Sequence, residues 1–456
     1  MRDLTTGRPM KQILLFLLPI LIGNILQLTY SLVDTRVVGS VLGGTALAAV
    51  GATTSLSTMV IGFLQGLTNG FAVIIARFFG AGDYKGLKRC VAATVTLALG
   101  VSLALTAVTI LFLPRILGIL HVGDDIYGMS YQYIVVIFAG MTISMLYNLC
   151  AAMLRAIGDS VTPLIFLGIS VVLNIFGDLF CICVLDMGVR GAAVATVAAQ
   201  LFATVLCLIF IYKKYELLHI GKTDFSFSGV LVRDLASCGL SMGFMGCLVN
   251  IGSVALQTGI NTLGNDIIVA HTAARKITEL FMLLFGVIGT TMATYSGQNF
   301  GAGRFDRVKE GVRAALIIVF IWCGLVLLCS YTIAPVLIRM VTGTESEAVI
   351  AAATSYLKFD TLLYWVTAII IVLRNTMQGI GDHVTPIISS SIECIGKIIL
   401  VKLLVAPFGY WGIIVAEPIT WCFMVIPLIV QYLRNPMLKQ KGCEKASEKH
   451  SNGLIG

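Results

Sequence analysis

A chain of 456 residues is long enough for two or three soluble domains, yet only 12% of it is Asp, Glu, Lys or Arg. That is about half the share of an ordinary soluble domain, roughly 25%. With 58% hydrophobic residues and a mean hydropathy of +0.95, most of the chain cannot face water, which excludes a soluble globular enzyme and predicts an all-α membrane protein.

Apolar runs reaching the about 20 residues that span a bilayer recur from one end to the other. The first, Ile13–Val33, is longer than the about 7–15 residues of a signal-peptide core and passes straight into Asp34 and Arg36, so it reads as a span. Polar and Gly/Pro breaks then place twelve transmembrane helices near 13–38, 48–78, 90–113, 127–155, 161–185, 190–213, 233–262, 268–300, 311–333, 347–375, 384–405 and 410–433. Basic residues gather at both termini and in the loops after even-numbered helices, whereas the opposite side has only Arg36, Arg115, Arg190, Arg339 and Lys402. Positive loops stay cytoplasmic. Both termini are therefore expected inside, at the plasma (cytoplasmic) membrane, and the net charge of +8 needs no nucleic-acid partner. The twelve cysteines fall mostly within apolar runs and lack paired spacing, which indicates neither a disulfide framework nor a metal site.

Three phrases occur twice, in the same order and at nearly one spacing. RAIGDSVTP (Arg155–Pro163) returns as QGIGDHVTP (Gln378–Pro386), FFGAGDYKGLKR (Phe78–Arg89) as NFGAGRFDRVKE (Asn299–Glu310), and MGVRGAAVA (Met187–Ala195) as FGYWGIIVA (Phe408–Ala416). Such a pattern is the mark of duplication. An even number of helices separates the copies, so both halves cross the membrane in the same sense. The expected fold is two six-helix lobes related by a pseudo-two-fold axis along the membrane normal, with a cavity at their interface. The lobes are assigned to 1–218 and 233–434, a cytoplasmic linker to 219–232, and a disordered tail to 435–456. Within the repeats, Gly158 and Gly381 suit left-handed helix ends. Thr162-Pro163 and Thr385-Pro386 suit an N-cap followed by a first-turn proline.

An Asp at the centre of a spanning helix costs about 2.5–3.5 kcal/mol on insertion scales, so each one needs a reason. In the first helix Asn24, Gln27, Ser31 and Asp34 share a sector of about 80° at 100° per residue. Ser170, Asn174 and Asp178 repeat that logic in the fifth helix, Thr196, Gln200 and Thr204 in the sixth, and Asn250, Gln257 and Asn261 in the seventh. Such stripes line a cavity if they face one another, or act as interhelical glue worth about 0.6 kcal/mol per contact. An unpaired carboxylate is costly glue, which singles out Asp34 and Asp178. The second half differs. Glu393 with Lys397, and Arg275 with Glu279, are spaced to neutralise each other within one helix. Asp360 has no such local partner, while Tyr356, Tyr364 and Thr367 lie on its side of the tenth helix. No phosphate loop, metalloprotease motif or nucleophile elbow occurs, so an ATP motor and hydrolytic chemistry have no sequence signature here.

The segment Leu18–Gly51, the FGAG turns, the RAIGD…TP phrase and MGVRGAAVAT resemble the multidrug and toxic compound extrusion (MATE) family over nearly the whole chain. That resemblance implies two six-helix lobes in a V around a central cleft, no cofactor, and antiport of amphiphilic, often cationic compounds against protons or sodium. It also implies that Asp34, Asn174 and Asp178 form an N-lobe cation site, with the proton as the expected coupling ion and Na+ on the same oxygens as the alternative. Some members carry a seventh-helix Glu where this chain has Asn250 and Gln257, and their tenth-helix acid falls within about a turn of Asp360. A monomer exporting small amphiphilic molecules by alternating access is expected. The rivals are a flippase for a lipid-linked saccharide, which calls for an Arg-rich cavity, and an ion channel, which calls for a filter motif.

Overall fold

The computed structural model describes residues 2–226 and 228–439, so the expected tail lies outside the described residues from 440 onward. Fifteen α-helices of nine or more residues run in chain order: α1 Pro9–Leu42, α2 Gly44–Gly80, α3 Tyr84–Ile119, α4 Asp124–Ala139, α5 Met141–Ala156, α6 Val161–Leu179, α7 Gly188–Lys214, α8 Gly229–Asn261, α9 Asn265–Gly301, α10 Phe305–Thr332, α11 Ala334–Thr342, α12 Glu347–Leu362, α13 Tyr364–Ile380, α14 Val384–Phe408 and α15 Tyr410–Arg434. No strand occurs among the described residues, as a lipid solvent demands when every backbone group must be satisfied within its own segment.

Nine of these helices are long and apolar enough to cross a bilayer, and two bent pairs raise the number to eleven among the described residues. The twelfth expected span, α14, is a 25-residue helix but carries Glu393, Lys397 and Lys402 and is not one of the eleven. The expected fourth and tenth spans are each two helices. α4 and α5 meet at 46°, and α12 and α13 at 50°. At the first bend stands Gly140, where a Cβ would sit 2.3 Å from the Val197 side chain, so close packing against α7 requires glycine there.

The repeats are repeated geometry. Gly158 and Gly381 have φ of +83° and +104°, the left-handed helix ends expected of them. The expected threonine caps are corrected by the structure. Asp159 accepts from the amides of Val161 and Thr162 at 3.2 and 3.0 Å, and the Thr162 hydroxyl itself donates to Asp159 at 2.6 Å. In the second copy Asp382 makes the same three contacts with Val384 and Thr385, at 3.1, 3.0 and 2.6 Å. A carboxylate offers more acceptor positions than a hydroxyl, so the Asp two residues before the helix takes the cap and the Thr becomes a donor. Asp159 has one further donor, the Tyr215 hydroxyl at 2.6 Å. Burial works against its charge, but the Thr162 and Tyr215 hydrogen bonds outweigh that and hold its carboxyl below the usual carboxylate range.

The chain divides into two compact units. One contains Leu15–Phe78 and Asp83–Ile251; the other contains Asp3–Leu14, Phe79–Gly82 and the chain from Gly252 on. The division falls inside α8, beyond the 219–232 segment, which holds a 3-10 turn at Lys222–Phe225. In the second unit the start of the chain is clasped. Arg307 donates to the carbonyls of Leu4, Thr6 and Gly7 at 3.3, 3.1 and 2.8 Å, Arg304 to that of Thr5 at 2.6 Å, and Asn299 to Leu4 at 3.2 Å. Leu4 is fully buried there.

Candidate functional site

Three helices of the first unit bring the N-terminal candidates together. α1 supplies Tyr30 and Asp34, one turn apart on one face; α6 supplies Asn174 and Asp178 with the same spacing; α7 supplies Thr196. With the Asn174 amide oriented to satisfy both ends, its nitrogen donates to Asp178 Oδ2 at 3.1 Å and to the Tyr30 hydroxyl at 3.2 Å. Its oxygen accepts from the Thr196 amide at 3.1 Å and hydroxyl at 3.2 Å. The Thr196 hydroxyl also lies 3.3 Å from that of Tyr30. Asp178 is fully buried, with the Asp34 carboxyl near enough to act on it. Asp34 Oδ1 is buried with no donor, and neither carboxylate has a basic partner among the described residues. Directly after Asp178 the helix widens into a π-turn, Phe180–Val184, a departure that often marks functional positions.

Below this cluster lies a cavity of about 90 Å³ whose walls include Gln27, Tyr30, Ser170, Asn174, Thr196 and Gln200. The Ser144 hydroxyl donates to the Gln200 side chain there. A second cavity of about 80 Å³ continues past Gln27 to Asn24, Asn148 and Arg155. Gln27, Ser170, Thr196 and Gln200 line the first cavity, and Asn24 and Gln27 the second. Ser31 lines neither cavity and is exposed, its carbonyl accepting from Thr35 at 2.7 Å. On α8 Asn250, Gln257 and Asn261 are all exposed, and Gln257 donates to Asn261 at 2.8 Å. Tyr30 was missed by the sequence reading. Its signal was position, one turn before Asp34 on the same face.

The second unit holds a different kind of cluster. Glu417 on α15 receives Lys397 at 2.8 Å, Arg275 at 3.3 Å and the Tyr356 hydroxyl at 2.7 Å. Lys397 also bonds Glu393 at 3.1 Å, the pairing its spacing predicted, and Glu393 lies 3.8 Å from Arg374. The expected Arg275–Glu279 pair does not form. Arg275 turns across to α15, and Glu279 pairs with Lys276 at 3.2 Å on an exposed face. A guanidinium half-sunk beside a buried carboxylate gains more from that partner than from one held in high dielectric. Asp360 and Tyr364 are buried beside this network, with Glu417, Arg275 and Lys397 near enough to act on Asp360. Lys358 points elsewhere, over the Tyr331 ring at 5.4 Å. Glu417 was the omission here: an acid inside an otherwise apolar run, preceding Pro418, is a signal as plain as Asp178.

The family model for MatE matches residues 19–180 and 242–411, well over half of the chain. The chain belongs to the MATE family. It is therefore a secondary membrane transporter of the multidrug-export type and not an enzyme. Among curated MATE relatives, the "Probable multidrug resistance protein YpnP" of Bacillus subtilis (strain 168) is 29% identical over 381 residues, 83% of this chain and 84% of that one. The "Multidrug export protein MepA" of Staphylococcus aureus (strain N315) is 23% identical over 438 residues, covering 93% and 94%. Solved structures share the MATE fold. An outward-facing multidrug resistance MATE family transporter of the MOP superfamily superposes with a TM-score of 0.89 at 23% identity, covering 96% of this chain and 98% of that one. A MOP superfamily transporter from Pyrococcus furiosus, for which a reversed binding-pocket polarity and a different function are suggested, gives the same score, identity and coverage.

Proposed function

We propose that this MATE protein is an antiporter that exports amphiphilic, cationic compounds by alternating access. Its coupling site is Asp34, Asn174 and Asp178, completed by Tyr30 and Thr196. The reading takes the twelve helices as two six-helix lobes with both termini cytoplasmic, and the proton as the coupling ion. One observation carries it: two carboxylates from different helices lie near enough to act on each other with no basic partner among the described residues, one oxygen buried without a donor. Two bare negative charges at that range repel each other strongly in a weakly solvated site. A proton or a sodium ion removes the repulsion and lets α1 and α6 stay together; its release drives them apart. Asn174, Thr196 and Tyr30 hold Asp178 in place while the charge changes, and the π-turn after it is where α6 can adjust. The names of the relatives, multidrug resistance and multidrug export, support the substrate class.

The test is ethidium export from proteoliposomes driven separately by a pH gradient and by a sodium gradient. Wild type is expected to respond to the pH gradient, and Asp34→Asn and Asp178→Asn each to fall to the protein-free rate while remaining folded. Coupled export at the wild-type rate in the folded double variant would falsify the proposal.

A further inference from the structure

The two cavities of the first unit share a polar wall and so lie along one line of polar side chains. The cavity of about 90 Å³ reaches Asn174 and Thr196, the cavity of about 80 Å³ reaches Ser160 and Arg155, and both are walled by Gln27, Gln65, Tyr147 and Asn148. Each has room for several waters, since one needs about 10–15 Å³ of such space and a few polar partners. The side-chain amides and the Tyr147 hydroxyl supply those partners, so the walls can support a hydrogen-bonded water chain leading away from Asn174, the neighbour of Asp178. At the far end stands a cation. Arg155 lies in the last turn of α5, and among the described residues its guanidinium makes one long hydrogen bond, to Asn69 Oδ1 at 3.4 Å. No carboxylate lies within ion-pair distance of it among the described residues, whereas Arg374, near the end of α13, has Glu393. The α5 carbonyl end accounts for a basic residue at this position. It does not account for a guanidinium aimed into a cavity without a counter-ion.

We propose that Arg155 is an electrostatic barrier closing this path. A fixed positive charge in a narrow polar passage turns back protons and metal cations while leaving water in place. It would stop an ion that has reached Asp34 and Asp178 from continuing to the far side without substrate exchange. The inference rests on the proposed coupling role of that pair and adds what keeps the coupling tight.

The test is ion entry without substrate. Proteoliposomes with a trapped pH-sensitive dye are given an inside-negative potential, and acidification is followed. Wild type is expected to match protein-free vesicles. Arg155→Gln should admit protons about tenfold faster, the effect of a barrier lower by about 1.4 kcal/mol. Arg155→Lys, which keeps the charge and serves the helix end equally well, should stay tight. A folded Arg155→Gln protein that is as tight as wild type overturns the proposal. Should that variant not fold, Asn69→Asp sets a carboxylate against the guanidinium and should leak in the same way; a tight Asn69→Asp protein overturns it equally. The leak of these variants decides the barrier, and export by Asp178→Asn decides the coupling site, so the two readings fail separately.

Discussion

The two halves of this transporter descend from one repeated pattern, yet they bury charge in opposite ways. In the first unit Asp34 and Asp178 meet with amides and hydroxyls around them and no base. In the second, Glu393, Glu417 and Asp360 sit among Arg275, Arg374 and Lys397, three acids to three bases. Under the proposed function, the difference separates a site built to change its charge from one built to keep it. Unpaired carboxylates can take up or give off a positive ion at little structural cost. A balanced network cannot, because removing one member strands another.

That contrast predicts an order of effects. Lys397→Met should be the most damaging change, since it leaves Glu417 and Glu393 short of a counter-ion; a loss of about 3–5 kcal/mol is expected in thermal or denaturant unfolding. Asp178→Asn, which swaps one buried carboxylate for an amide of the same shape, should leave stability within about 1 kcal/mol while abolishing coupling. Equal destabilisation by the two would erase the distinction.

The helix caps give a smaller effect. Asp159→Ala and Asp382→Ala each remove a cap worth about 0.5–2 kcal/mol, with the larger loss at Asp159 because Tyr215 also bonds it. Asp159 is held below its ordinary value when folded, so its contribution is present above about pH 4 and is lost as pH falls through the folded-state value. Unfolding curves of wild type and Asp159→Asn should therefore converge in acid. A constant gap across that range would assign the stabilisation to packing instead. The smallest change belongs to the exposed Lys276–Glu279 pair. Glu279→Gln should move stability by no more than about 0.5 kcal/mol, where the pairing read from spacing alone would have made Arg275 depend on it.

Much of the fold was legible because the bilayer imposes one rule on every span, and the helices lie where the apolar runs placed them. The bends at Gly140 and Leu363 were not, since neither carries a proline, and the close approach at Gly140 is to Val197 in another helix. For the candidate site, spacing along one helix found Asn174 with Asp178 and the α1 stripe, because i, i+4 neighbours share a face whatever surrounds them. It failed where partners come from elsewhere. Arg275 chose Glu417 on another helix, and Asp159 took the cap from Thr162. Arg374, a basic residue within α13, lies nearly buried 3.8 Å from Glu393 on α14.

The clasp on Leu4 joins groups 303 positions apart along the chain. Residues 3–7 leave the ribosome long before Asn299, Arg304 and Arg307 are made. This early segment is thus among the last to settle, and closing so wide a ring adds only about 0.6 kcal/mol for each doubling of its size. Until then residues 3–7 are open to proteases and chaperones, and a bulky insertion beside them would compete with the final step of assembly.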